Sequence, residues 1–255
     1  MKVVSYNVNG IRAAIKKGLL DWLKDHSDID VFCVQETKSQ IEQLDSKAFE
    51  DLGYYISWHQ AEKKGYSGVA TFSRVKPDLV KIGIDIEKYD SEGRVLRTDF
   101  GDTSILNCYF PSGSSSEERH AFKMAFLEDF RPIINKLLKK RKQLIVLGDY
   151  NVVHEEIDIH NPQRKDKPSG YRPEERAWMS DWFDKDFSDA YRTKYPDKQE
   201  FSWWSYRAGA RKNNKGWRID YISVSEAIAD KIIDAGHFSN AVHSDHCPVW
   251  LDIKL

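Results

Sequence analysis

Gly148-Asp149-Tyr150-Asn151 follows directly on an apolar run, Leu144-Ile145-Val146-Leu147. The run has the uninterrupted, β-branched character of a strand buried on both faces. A carboxylate and a carboxamide two positions apart share one side if the extended conformation persists. At the rim of a buried sheet such a pair suits the handling of a water and a phosphate oxygen. A turn whose Asp and Asn bond their own backbone reads equally well from these four residues alone. The same punctuation recurs at other strand ends. Asn7-Val8-Asn9-Gly10 closes the first apolar run, and Glu36 ends the run at 30–35. Tyr109 precedes Pro111, Asp220 opens a late strand, and Ser244-Asp245-His246 precedes the last one. Hard oxygen donors with one imidazole suit Mg²⁺ or Mn²⁺ better than zinc. His154-Glu155-Glu156-Ile157-Asp158 imitates a zinc-protease helix but has Asp158 where the second His is needed.

These residues need a scaffold. The chain has 255 residues, 40% apolar and 13% aromatic, enough for a large core, and its net charge of −1 does not advertise a nucleic-acid binder. The charge is uneven, though: Arg207, Arg211, Lys212, Lys215 and Arg218 fall in one stretch without an acidic residue, flanked by aromatics. Cys33, Cys108 and Cys247 are odd in number and far apart, which fits reduced thiols in a cytoplasmic protein. No signal peptide is read at the first residues, and no apolar run approaches the ~20 residues of a membrane helix. Strands are expected over 2–8, 30–35, 54–59, 68–73, 95–100, 104–110, 143–147, 219–224 and 249–253. Helices are expected over 13–24, 41–52 and 174–183. A longer one is capped by Ser115 with Glu118 and runs through the stripe Phe122, Phe126, Phe130, Ile133 and Leu137, with Pro132 kinking or restarting it. The polar stretch 160–170 reads as a loop long enough to carry function. The alternation predicts a mixed α/β architecture.

Taken in order, Asn7-Val8-Asn9-Gly10, Gln35-Glu36-Thr37-Lys38, Tyr109-Phe110-Pro111, Gly148-Asp149-Tyr150-Asn151, Gly216-Trp217-Arg218-Ile219-Asp220-Tyr221 and Ser244-Asp245-His246-Cys247-Pro248 span almost the whole chain. The set resembles the exonuclease III family of apurinic/apyrimidinic (AP) endonucleases. Its Gly-Asp-x-Asn and Ser-Asp-His elements are shared with the wider superfamily of phosphodiesterases and phosphatases. Phe201-Ser202-Trp203-Trp204-Ser205-Tyr206 and Trp217-Arg218-Ile219-Asp220-Tyr221 are more discriminating, since they look like this family's abasic-site pocket.

The resemblance implies a four-layer α/β sandwich, two packed mixed β-sheets flanked by helices, formed by residues 1–255 as one domain. It implies hydrolysis of the phosphodiester 5′ to an abasic site in duplex DNA, leaving a 3′-hydroxyl, with accompanying 3′-exonuclease or 3′-phosphatase activity. The partner would be duplex DNA with abasic sites or 3′-blocked ends, bound by a monomer, with no membrane involved. Glu36 would be the principal ligand of Mg²⁺, or of Mn²⁺, with Asn9 and Asp245 close by; Asn7, Asp149, Asn151 and His246 could hold a second ion. Asp149 would activate water, Asn151 would donate to it or to a phosphate oxygen, and Asp220 would orient His246. His246, Tyr109 and Asn7 would bind the scissile phosphate, and Tyr109 could act as a phenolate or as a plain donor. Trp203, Trp217 and Ile219 would form a slot for the flipped-out sugar. Arg207, Arg211, Lys212 and Lys215 would grip DNA, as would Arg12, Lys63, Tyr66 and the loop near Lys165. Ser112 stands where the family often has Asn or Gln, a shorter donor at a DNA contact. The competing expectations are a superfamily phosphatase acting on inositol or lipid phosphates, and a DNA-binding protein without catalysis.

Overall fold

A computed structural model describes residues 1–255. The first half contains β1 (Lys2–Asn7), α1 (Ile11–Lys16), α2 (Leu19–Asp25), β2 (Val31–Gln35), α3 (Ser46–Glu50), β3 (Tyr55–His59), β4 (Val69–Ser73), β5 (Leu79–Ile82), α4 (Glu87–Asp90) and β6 (Val95–Phe100). The second half contains β7 (Thr103–Tyr109), α5 (Glu117–Leu138), β8 (Gln143–Asp149), α6 (Pro173–Lys185), β9 (Phe187–Asp189), α7 (Ala190–Lys194), β10 (Asp220–Ser225), β11 (Ile232–His237) and β12 (Val249–Ile253). The strands form two six-stranded mixed sheets, ordered β11-β12-β1-β2-β4-β3 and β5-β6-β7-β8-β10-β9. Each has one parallel pair at its centre, β1 with β2 and β7 with β8, and all other pairings are antiparallel.

Strand alternation builds the four layers. In β8, Ile145 and Leu147 face the other sheet, meeting Val3, Val31 and Cys33, while Leu144 and Val146 face Phe126, Phe130 and Trp182 of α5 and α6. Val4 and Phe32 of the first sheet likewise pack under Ile11, Leu19 and Leu23 of α1 and α2. Each fully buried Val, Leu or Ile side chain stabilises such a layer by roughly 1.5–3 kcal/mol. The four-layer sandwich is therefore as expected, and the central strands are buried on both faces.

Several local expectations fail for identifiable reasons. The helix expected over 13–24 breaks at Gly18, whose φ of 95° lies outside the helical region. The one expected over 41–52 divides into a 3-10 turn and the short α3, because Leu44 is extended and Asp45 caps anew. Ser116, not Ser115, caps α5, accepting from the Arg119 N–H at 3.2 Å, and Pro132 sits within α5 without ending it. β5, α4, β9, α7 and β11 carry no clear apolar period; β5 is an edge strand with Leu79, Val80 and Ile82 exposed. No helix is long and apolar enough to cross a membrane.

Candidate active site

Three neighbouring strands end in one row. Asp149 of β8 lies in register with Tyr109 of β7 on one side and with Asp220 of β10 on the other. Two residues back in the same strands stand Leu147 and Ile222, both in the inter-sheet core, so the row continues that face beyond its apolar part. The transition is already polar one step inward. There Gln35 of β2 donates to Asn107 of β7 across the sheets at 2.7 Å, and Asn107 donates to the Val34 and Ala70 carbonyls. Gly148 permits the close strand approach: its φ is 140°, and a Cβ there would stand 1.8 Å from the Cys108 carbonyl oxygen.

The opposing sheet supplies Asn7 and Glu36. The Asn7 amide donates to Asp149 Oδ2 at 2.8 Å and to Glu36 Oε1 at 2.9 Å, joining the two sheets through one side chain. Its Oδ1 accepts from the Asn9 N–H at 3.0 Å, and the Asn9 amide donates to Asp245 Oδ1 at 2.9 Å. Asp245 Oδ2 accepts from Trp203 Nε1 at 3.1 Å. On the far side His246 Nδ1 pairs with Asp220 Oδ2 at 2.8 Å, and Ser202 Oγ donates to the same oxygen at 2.6 Å. His246 Nε2 faces Asp149 Oδ2 at 4.0 Å. Asp149, Asp220, His246 and Asn7 are all buried.

Of the two readings open for Asp149 and Asn151, the structure shows the turn and not the extended strand. Asn151 has φ 53°, in the left-handed region, as do Asn9 (47°) and Glu36 (53°). Non-glycine residues held there cost of order 1 kcal/mol or more each, and such strain concentrates at functional sites. The pair still converges, by turning back: the Asn151 N–H donates to Asp149 Oδ1 at 2.8 Å and its amide to Asp149 Oδ2 at 3.2 Å and to the Phe110 carbonyl at 3.0 Å.

Charge states follow from this packing. Burial, then the Asp220 carboxylate, pushes Asp149 up to about 7. Burial works against the His246 imidazolium, yet the charge and hydrogen bond of Asp220 override it and lift His246 to about 10. Burial, with Glu36 and Asp149 nearby, holds the Tyr109 phenol well above its ordinary value despite Arg94, whose guanidinium lies 4.9 Å from the ring centre. Tyr109 is thus a neutral donor among these residues, and the phenolate alternative is not favoured by its surroundings.

The donor set fits a hard cation. Glu36, Asp245 and Asn9 present oxygens on one side of the cleft, and Lys38 already places an ammonium there, 2.7 Å from Glu36 Oε2 and bonded to Asn9 Oδ1. Against the cost of burial, Lys38 and the Asn7 amide hold Glu36 below the usual carboxylate range. Asp149, Asp220 and His246 also offer atoms within 4.8 Å of one another, but the Nδ1 of His246 is occupied by Asp220. His154 and Asp158 form no metal site with each other. Asp158 is buried against Arg218, with bonds of 2.7 and 2.9 Å, and against Arg192, while Arg218 also pairs with Asp189 at 2.7 Å.

That ionic knot sits beneath the apolar wall. Trp203 and Trp217 meet edge to face at 5.7 Å and pack with Ile219, Tyr171 and Val153. Backbone bonds tie 201–204 to both neighbours: Trp217 to Trp203, Trp204 to Asp245 and Cys247 to Ser202. Glu36, Tyr109, Asp149, Asn151, Asp245 and His246 line one cleft of about 420 Å³ together with the wall and Ser112, whereas Asn7, Asn9 and Asp220 do not line it. Arg164 also lines it, 5.8 Å from the Trp217 ring, whereas the neighbouring Lys165 points to solvent. Arg12, Lys63, Arg207, Lys212 and Lys215 are exposed. Tyr66 accepts from Arg94 and Arg119 at 3.0 and 3.1 Å, leaving its O–H free to donate outward. Arg211 departs from expectation. Its guanidinium stacks on Trp204 at 4.6 Å and donates to the carbonyls of Ser239, Ala241, Ser244 and His246, so it clamps the loop carrying Asp245 and His246 instead of reaching for DNA. Sequence reasoning gave no role to Ser202, Arg94 or Lys38; Ser202 and Lys38 stood in quoted motifs, Arg94 in none.

Comparison with known proteins agrees with this geometry. The Endonuclease/Exonuclease/phosphatase family model matches residues 4–246. The chain is 42% identical over 257 residues to an exodeoxyribonuclease of Bacillus subtilis (strain 168), covering both proteins fully. It is 37% identical over 258 residues to the DNA repair nuclease APEX1 of Danio rerio, covering all of this chain and 83% of the relative. An AP endonuclease from Archaeoglobus fulgidus shares the fold with a TM-score of 0.91 at 28% identity, over the full length of both chains. The sheets, the polar row and these relatives together place the chain in the endonuclease/exonuclease/phosphatase family.

Proposed function

We propose that this protein is a DNA-repair AP endonuclease that hydrolyses the phosphodiester 5′ to an abasic site in duplex DNA, with 3′-exonuclease or 3′-phosphatase activity at the same site. One observation carries the reading: the carboxylate, amide and imidazole cluster opens into the same cleft as the Trp203–Trp217–Ile219 wall. That wall suits a sugar lacking its base, which is also the nucleotide that costs least to flip out. A polyhydroxylated, multiply charged inositol phosphate would leave it unused.

In this reading Glu36 holds Mg²⁺ or Mn²⁺, with Asn9 and Asp245 beside it. When bound, the ion offsets negative charge on the phosphate and the leaving oxygen. Asp149, buried and raised toward neutrality, takes the proton of the attacking water. The Asn151 amide, anchored by one N–H on the Phe110 carbonyl, turns the other from Asp149 to that water and orients it, a task an Asp could not perform because it lacks N–H donors. His246, kept as an imidazolium by Asp220, donates to the phosphate as its charge grows, joined by the Tyr109 O–H. The Asn7 amide, both of its N–H groups already given to Asp149 and Glu36, holds those two carboxylates in place instead of binding the phosphate. Donors fixed in advance typically lower such barriers by about 3–4 kcal/mol each. Exposed Arg12, Lys63, Arg207, Lys212 and Lys215 bind phosphates of the duplex, joined by Tyr66 and by Arg164 at the pocket. Because both sheets contribute to the site, residues 1–255 act as one unit, and a monomer suffices.

The test is incision of a duplex carrying a single abasic-site analogue, with and without Mg²⁺. One cut on the 5′ side, abolished by chelation, is expected. A duplex left intact at ample Mg²⁺ or Mn²⁺ refutes the reading.

A further inference from the structure

Lys123 and Glu175 are both wholly buried, and no step above uses either. Lys123 lies on the inner face of α5, and Glu175 in the first turn of α6. Lys123 Nζ donates to Glu175 Oε1 and to the Asn151 backbone carbonyl, each at 2.7 Å. Glu175 Oε1 also accepts from Ser169 Oγ at 3.0 Å, and Oε2 accepts from the N–H groups of Gly170 (2.6 Å) and Arg172 (2.9 Å). Four donors occupy the about four acceptor positions of a carboxylate. The pair therefore has two ends. One holds the backbone of Asn151 in its left-handed conformation, beside Asp149. The other holds Ser169 and Gly170, and Ser169 lines the cleft while the Gly170 carbonyl accepts from the Val153 N–H at 2.7 Å. Val153 packs in the cluster under Trp203 and Trp217.

A buried ion pair is weak evidence for stability, since apolar side chains of similar volume often serve as well. What apolar residues cannot supply is a set of directed bonds to non-helical backbone on two sides of a cleft. We propose that Lys123 and Glu175 are a positioning pair that fixes the Asn151 amide relative to the 169–170 wall, so that water orientation and pocket shape are set together. This inference rests on the role given to Asn151 under Proposed function. Neither residue touches substrate.

Lys123→Met and Glu175→Gln are compared with the unaltered chain well below their melting temperatures, reading single-turnover incision and DNA affinity separately. For Lys123→Met the incision rate is expected to fall at least ~10-fold while Kd stays within threefold. The Lys123→Met/Glu175→Gln double variant should lose no more than the worse single change, as expected of groups acting as a unit. If Lys123→Met does not fold, Lys123→Met/Glu175→Leu, which leaves no unpaired charge, carries the same rate and affinity criteria. A folded variant incising within threefold of the unaltered rate overturns the proposal, as does affinity falling in step with rate. Should the unaltered chain itself leave the abasic duplex intact, the functional reading fails separately. The backbone amide resonances of Asn151 and Gly170 then decide this one: both shift in the Lys123 variant if the pair positions them, and a shift in only one overturns it.

Discussion

Replacing Asp220 by Asn isolates the charge behind His246. The exchange is nearly isosteric, and the remaining oxygen can still accept from Ser202 Oγ and His246 Nδ1, both now on Oδ2. The other carboxylate oxygen, Oδ1, is buried and has no partner, so the new NH₂ breaks no existing bond. What disappears is the largest of the charges that together lift His246 from 6.5 to about 10; those of Asp149 and Asp245 remain. That rise corresponds to ~5 kcal/mol at ~1.4 kcal/mol per pH unit. Without the Asp220 charge, the imidazole falls back toward its ordinary value as burial is opposed only by Asp149 and Asp245. At pH 7.5 His246 then falls from almost wholly protonated to about one molecule in ten, a rate loss of at least ~10-fold from population alone. Loss of orientation behind a catalytic imidazole adds up to ~10⁴. Single-turnover incision of the abasic duplex from pH 5.5 to 10 should show the basic limb moving from above pH 9 toward pH 6.5, so the variant loses most at alkaline pH. On the acid side, protonation of Asp149, raised to about 7, limits the unaltered chain. Stability has the same origin. A histidine raised on folding contributes fully below pH 6.5 and loses that contribution as pH rises through about 10. The stability gap between the unaltered chain and Asp220→Asn should therefore be widest below pH 6.5 and narrow above it. An unmoved basic limb, or a rate within threefold at pH 7.5, refutes the assignment of an imidazolium to His246.

Trp217→Ala should reduce abasic incision more than degradation of an undamaged 3′ end, because it opens the apolar slot and leaves the catalytic row intact; equal losses in a side-by-side assay would count against the pocket. Arg218→Met leaves Asp158 and Asp189 buried without their shared partner and should cost about 3–5 kcal/mol, lowering the melting temperature by roughly 10 °C or more; a change under ~2 °C in thermal denaturation would show the knot to be dispensable. Glu36→Gln should raise the Mg²⁺ concentration for half-maximal incision by at least ~10-fold with little change in DNA affinity, and an unchanged Mg²⁺ titration would move the ligand role elsewhere.

Much of the site was legible because a buried strand advertises itself by composition and its polar end stands out against it. Asp149, Asn7, Glu36 and Asp220 were all found in this way. Their mutual arrangement was less so. Asn9 and Asn151 are of a type that turns left-handed readily, and their N–H groups bond side chains two residues back, but nothing local in Glu36 says that it does the same. Distant bonds, such as Lys123 on the Asn151 carbonyl, add to the local ones. Arg211 illustrates the converse. Its type and neighbours suggested a phosphate contact, yet its acceptors are carbonyls about 30 residues downstream, and no periodicity reports them. Lys123 was hidden by its helix, where a lysine between apolar turns reads as a solvated position. The edge strands β5 and β9 escaped because they are short or bury little, leaving few apolar positions to show a period.

The first and last strands lie side by side in the middle of one sheet, Lys2 opposite Asp252 and Ser5 opposite Val249. Asp245 and His246 lie just ahead of that final strand. As the chain leaves the ribosome, β1 must wait for β12 before gaining this neighbour, and the imidazole enters the cleft at about the same moment. A nascent or C-terminally cleaved chain would thus carry Glu36 and Asp149 but no competent centre. Strand order alone delays assembly of the cleft until β12 has been made.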